Sequence, residues 1–180
     1  MELASLLKEH REAILEKWFE QIIATYPEVG SSFLGKQKDR FRNPVGYAIT
    51  ESIGPIYDQV ASRMDTDRLR EALDGIIRIR SVQEFTPAEA IGFVFQLKSA
   101  IREVMGAQLQ RVEDWRDLAD LESRIDRVAL LAFEKYAECR ETLHQARGRE
   151  IERRATSALD RLRRKSAISP HEEEPTDDDV

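Results

Sequence analysis

Two arginines, Arg78 and Arg80, interrupt the apolar run Ile76-Ile77-Arg78-Ile79-Arg80. At 100° per residue, Leu69, Leu73, Ile76 and Ile77 gather on one side of a helix, with Ala72 and Ile79 flanking them. Arg78 then points to the opposite face, and Arg80 projects near the middle of the apolar face. A strand would place both arginines on one side but leaves the upstream apolar positions unexplained, so a helix is the preferred reading. An arginine on a core face must find acceptors, because an unpaired buried charge is very costly. Glu51, Asp58 and Glu84 are candidate partners, as are carbonyls at a helix end, or the side chain can reach out to water. A structural ion pair is the leading expectation. The alternative is anion binding, with Arg78, Arg80, Phe85 and Phe93 around one ligand site.

Other chemistry is thinly represented. His10, His144 and His171 show no ligand spacing, and there is no CxxC or CxxCH motif, so neither a metal nor haem is expected. His10 reads as an exposed helical residue. The single cysteine, Cys139, falls on an apolar stripe and reads as a buried structural thiol. One cysteine allows no intramolecular disulfide, which fits a reducing, cytoplasmic compartment. No Gly-rich phosphate loop or nucleophile elbow occurs. Carboxylates alternate with arginines in "VEDWRDLADLESRIDR", the pattern of a solvated, ion-paired helix face. Nothing selects a catalytic pair, so no enzyme activity is expected. The aromatic and large apolar side chains Trp18, Phe19, Tyr47, Tyr57, Phe85, Phe93, Phe95, Met105 and Trp115 are expected to pack the core, or to line a cavity between helices.

The elements that must position these residues are helices. Of the 180 residues, 41% are hydrophobic and 34% charged, with only eight glycines and six prolines. This composition favours helix and suffices for one core. A first helix is predicted over Leu3 to Tyr26, from the three- and four-residue recurrence of Leu3, Leu6, Leu7, Ile14, Leu15, Trp18, Phe19, Ile22 and Ile23. "YPEVGSSFLGKQKDRFRNP" reads as an extended connection. A second helix is predicted from Asn43-Pro44, with a kink or break at Gly54-Pro55. A third begins near Asp65-Thr66. A fourth opens at "TPAE", where Thr86, Pro87 and Glu89 form a capping box and a helical first position. From Asp114 to about Ser166 only Gly148 interrupts helical composition. Ile125, Val128, Ala132, Tyr136, Cys139, Leu143 and Ala146 form a stripe whose period approaches that of helix-on-helix packing. Ile151, Ala155, Ala158 and Leu162 continue it more thinly. No strand, no repeat, no bilayer-spanning stretch and no secretory signal is recognised.

Charge is concentrated in the tail. "HEEEPTDDDV" carries six acidic side chains, which account for the whole formal net charge of -6. The segment "RGREIERRATSALDRLRRK" is basic but has no aromatic residue for stacking and no DNA-reading motif, so nucleic acid is not the expected partner. The organisation predicted is a helical domain over 1–146, a signalling or dimerisation helix extension over 147–165, and a disordered acidic tail over 166–180.

Four phrases, "LLKEHREAILEKWFEQIIATYP", "FRNPVGYAITESI", "DGIIRIRSVQEFTPAEAIGFVFQLKSAIRE" and "LESRIDRVALLAFEKYAECRE", resemble the RsbRD N-terminal domain family. These are the sensor domains of RsbT co-antagonist proteins and of some bacterial histidine kinases. The resemblance spans roughly residues 3–145, and "IIRIRSVQEFTPAEAIGFVF" is its most specific block. It implies an all-α, globin-like, haem-free helical bundle with a long C-terminal helix. It also implies a homodimer that signals through that helix without a cofactor. The sequence carries no STAS domain or kinase core after the helix.

The function expected is a non-enzymatic sensory or regulatory module of the stressosome type, with another protein as partner. A ligand or partner would shift the 86–110 helix against the last helix. Leu143, Ile151, Ala155 and Leu162 would then be presented to an effector. The alternatives are an accessory subunit docking to a larger, respiratory complex without switching, or a ligand-binding protein or enzyme whose site the motifs do not reveal.

Overall fold

The computed structural model describes residues 3–26, 43–83, 85–109 and 112–168. The connection expected between the first two helices, Glu84 as a partner of Arg80, and the tail beyond Ile168 lie outside the described residues. The described residues are helical, with no strand among them. We number the helices α1 (Leu3–Glu9), α2 (Arg11–Ile23), α3 (Pro44–Ala61), α4 (Thr66–Val82), α5 (Pro87–Met105) and α6 (Val112–Ile168). A 3-10 turn, Gly106–Gln108, follows α5.

Helix starts follow the local chemistry. The Asn43 side chain accepts a hydrogen bond from the Gly46 amide (2.8 Å), and Pro44 opens α3 with a ring already set for helical φ. A Cβ at Gly46 would collide with that capping side chain, which explains a glycine there. Asp65 caps α4 by accepting from the amides of Asp67 and Arg68. Thr86 and Glu89 exchange side-chain and backbone bonds across the first turn of α5, the expected capping box.

Two local expectations are corrected. The predicted first helix is divided: α1 ends at Glu9 and α2 starts at Arg11. The backbone bonds from His10 N to Leu6 O and from Ile14 N to His10 O cross the junction, so the apolar period continues through it. His10 is therefore a half-buried junction residue rather than an exposed helical one, and its ring meets the Gln108 side chain at 2.9 Å. In α3, helix continues through Gly54 and Pro55 without a break.

Contacts divide the chain into two units, Met1–Arg140 and Glu141–Val180. In the first, α2 packs against α5 and α3, α3 against α4, and α4 against α5. α6 contributes Leu118, Leu121, Ile125, Val128, Ala129, Ala132 and Tyr136 to the same core cluster. Trp18 and Phe93 stack at its centre, fully buried, and the Trp18 indole N–H donates to the Phe93 carbonyl (2.7 Å). Tyr57, also buried, donates to the Leu7 carbonyl (2.7 Å) and fastens α1 to α3. Met105 is buried with them, whereas Phe95 and Trp115, expected in the core, are about half exposed, at 46% and 52%. Each lies on the outer face of its helix, off the buried stripe.

In the second unit α6 continues to Ile168, slightly beyond the end expected near Ser166. Gly148 does not interrupt it, since a single glycine costs a long helix only about 1 kcal/mol. Ile151, Leu159 and Leu162 are more than half exposed there.

Candidate functional site

The apolar face of α4 comes from Leu69, Leu73, Ile76 and Ile77, all buried. One turn on, the same face carries Arg80, whose side chain is entirely shut off from solvent. Arg78 points the other way, is exposed, and pairs with Asp74 on its own helix at 2.7 Å. The two arginines are thus separated: one on the surface, one at the centre.

Arg80 sits in a box of three aromatic rings. Its guanidinium carbon lies 5.1 Å from the Tyr26 ring centroid, 4.9 Å from that of Phe85 and 5.3 Å from that of Phe93. Tyr26 and Phe85 meet edge to face at 5.4 Å. Such rings attract a cation through their negative faces. Nη1 donates to the Glu89 carbonyl (2.9 Å) and Nη2 to the Thr25 hydroxyl (3.0 Å), which itself donates to the Ile22 carbonyl (2.7 Å). Nε–H makes no hydrogen bond of good geometry, and the Tyr26 hydroxyl lies against the guanidinium as a loose acceptor.

No carboxylate among the described residues neutralises Arg80. Asp58 forms a two-pronged pair with Arg11 (2.8 and 2.9 Å), and Glu51 is exposed. The expected ion pair with either is therefore replaced by a carbonyl at the start of α5, a hydroxyl and three ring faces. Burial lowers the Arg80 pKa from its ordinary value, with Tyr26 opposing the shift. Burial also raises that of the Tyr26 hydroxyl, against the pull of Arg80.

The box is joined to α6. The Tyr136 hydroxyl donates to the Phe85 carbonyl (3.4 Å), and Arg140 Nη1 donates to the carbonyl of Ser81, next to Arg80 (3.1 Å). One turn before Arg80's own turn, Asp74 holds Lys135 of α6 at 2.7 Å. The Asp74 carboxyl is shifted up by burial, but the bonds from Lys135 and Arg78 together outweigh this and hold it below the usual carboxylate range.

Phe85 and Phe93 thus join Arg80, and Arg78 does not. Thr25, Tyr26, Tyr136 and Arg140 were missed. Tyr26 extends the α2 stripe Ile22, Ile23 by one turn, a signal that the sequence does contain. Tyr136 lay on the recognised α6 stripe, but its polar tip gave no hint of a destination. Cys139 is half-buried against the core cluster rather than fully enclosed. On α6, Leu143 is half-buried, and Ile151, Ala155 and Leu162 are exposed. Among the described residues no group of His, Cys, Asp and Glu could hold a metal ion, and no helix is long and apolar enough to cross a membrane.

A family model described as the RsbT co-antagonist protein rsbRD N-terminal domain matches residues 12–151, most of the chain. No curated protein and no solved structure matches it.

Proposed function

This chain belongs to the RsbT co-antagonist protein rsbRD N-terminal domain family, and on that premise we propose that it is a non-enzymatic regulatory module of the stressosome type. It passes a signal through α6 to a partner protein. The observation that carries this reading is the continuity of α6. One helix runs from Val112 to Ile168, with its first half in the core and its bonds to Phe85 and Ser81 at the wall of the Arg80 box. A change in how α4 and α5 hold that wall acts directly on Tyr136 and Arg140, and a helix transmits such a shift along its axis.

On the same reading the body is a haem-free, globin-like bundle in a cytoplasmic protein that forms a homodimer. Ile151, Ala155, Ala158 and Leu162 recur at steps of four, three and four, a narrow stripe suited to a second helix. The flanking charges form ladders along the helix, as where Glu150 accepts from Arg154 at 2.6 Å.

Affinity purification with the full chain and with a chain ending at residue 146 tests the reading. The full chain captures a defined partner, and the shortened chain stays folded but does not. Equal capture by both would refute transmission through the extension. Capture that never varies with ligand or redox condition would favour a passive docking subunit.

A further inference from the structure

We propose that the basic furrow near the far end of α6 is a docking face for an acidic peptide segment, and that its occupant is residues 172–179 of the same chain. The furrow is lined by Arg153, Thr156, Ser157, Asp160, Arg161 and Arg164. At 100° per residue these six fall on one side of the helix, and Ile151, Ala155, Ala158 and Leu162 fall on the other. The two faces are separate, one suited to apolar contact and one to charge.

The lining sets three arginines against one aspartate. Glu150 holds Arg153 and Arg154, but Arg161 and Arg164, both exposed, make no ion pair among the described residues. The dipole of α6 accounts for basic residues in its last turn. Arg161 lies about two turns before Ile168, beyond that reach. The sequence supplies the complement in Glu172, Glu173, Glu174, Asp177, Asp178 and Asp179. With a reversal at Ser169-Pro170 the distances match. Glu172 stands about 13 Å along an extended chain from Ile168, and Arg164 and Arg161 lie about 6 and 10 Å back along the helix axis. Asp177 stands about 30 Å along the chain, and Arg153 about 22 Å back, so the acidic run spans the whole furrow.

Exposed ion pairs are individually weak and are screened by salt. Tethering offsets this, because it keeps the carboxylates at high local concentration beside the arginines. The result is a cover that another acidic surface can displace, and it leaves the apolar stripe free. Docking itself stands alone. Its consequence, that a partner engaging this face of α6 must be acidic and must displace residues 172–179, rests on the regulatory reading above.

Amide NMR signals of 153–164 provide the test, in the full chain and in a full-length variant whose acidic run is neutralised (Glu172→Gln, Glu173→Gln, Glu174→Gln, Asp177→Asn, Asp178→Asn and Asp179→Asn). At low salt these signals are expected to differ between the two chains, and to converge at about 1 M salt, where screening acts within about 3 Å. Identical signals at low salt overturn the proposal, and a difference that survives high salt overturns its electrostatic basis. A difference lost on dilution places the acidic run on a second copy and overturns docking within one chain. A synthetic peptide with the sequence of 169–180 is the direct probe. It is expected to shift the same signals in the neutralised variant, and to bind the full chain about tenfold or more weakly. Equal binding to both overturns the proposal. Arg161→Gln with Arg164→Gln in the neutralised chain is expected to abolish peptide binding, with the helix content followed by circular dichroism. Undiminished binding there overturns the assignment to this furrow. Partner capture that is equal with native and neutralised runs leaves the docking standing and refutes its regulatory consequence.

Discussion

Arg80 carries a charge where water does not reach it. What it gains is two hydrogen bonds and three ring faces, and what it gives up is the hydration of a full cation. Removing it leaves little behind. The Glu89 carbonyl sits in a helix and the Thr25 hydroxyl keeps the Ile22 carbonyl. Arg80→Met, which fills the volume with apolar atoms, is therefore expected to melt no lower than the wild type, as when buried ion groups are replaced by packed apolar ones. A loss above about 2 kcal/mol in urea denaturation would instead make Arg80 a structural post, as the sequence first implied. Asp74 behaves oppositely. Its folded-state pKa is lowered, so its contribution is complete above the ordinary carboxylate value of about 4 and disappears as the pH falls through the lower, folded one. Asp74→Asn is expected to cost about 1 kcal/mol near neutrality, and progressively less as the pH falls below the ordinary carboxylate value. Denaturation curves across that range check the convergence.

At the scale of elements, the helix starts were the most legible features. Asn43-Pro44, Asp65 and Thr86-Pro87 each combine a side-chain acceptor with a residue whose backbone suits the first turn, and such local chemistry does not depend on the rest of the fold. Thr86→Ala removes one half of the α5 capping box and is expected to destabilise the protein by about 1 kcal/mol, measured by chemical denaturation. Thr86→Ser should restore most of it. Less legible was the junction at His10. The apolar recurrence passes through it unbroken, because periodicity records which side is buried and not whether the axis is continuous. Pro55 misled in the other direction. It removes one hydrogen bond, but Ile53, Ile56, Tyr57 and Val60 around it are buried, and that packing holds α3 together.

At the scale of the molecule, the long α6 joins a buried stripe to an exposed one. Leu118 to Tyr136 contribute to the core, whereas Ile151, Leu159 and Leu162 do not. The first unit closes its own core, with the Trp18–Phe93 stack inside it and the Arg102–Glu122 bidentate pair (2.6 and 2.8 Å) on its surface. Deleting 147–180 is accordingly expected to change the melting temperature by no more than about 2 °C, since 147–164, the part of it whose burial is described, contributes no buried residue to the core. A large drop in a calorimetric scan would mean that the extension stabilises the body.

The sequence by itself determined the helical class, three of the helix starts, the buried faces of α2, α4 and the first half of α6, and the isolation of Arg78 from Arg80. Each of these follows from neighbours within a few turns: caps, periods and propensities act locally. What surrounds Arg80 was decided only by the tertiary structure. Thr25 comes from 55 positions upstream of Arg80 and Tyr136 from 51 beyond Phe85, as the spacings in their hydrogen bonds record. No periodicity carries such a convergence, because it depends on how whole helices cross. The sequence offered carboxylates or helix-end carbonyls to this arginine, and packing supplied a carbonyl, a hydroxyl and three rings.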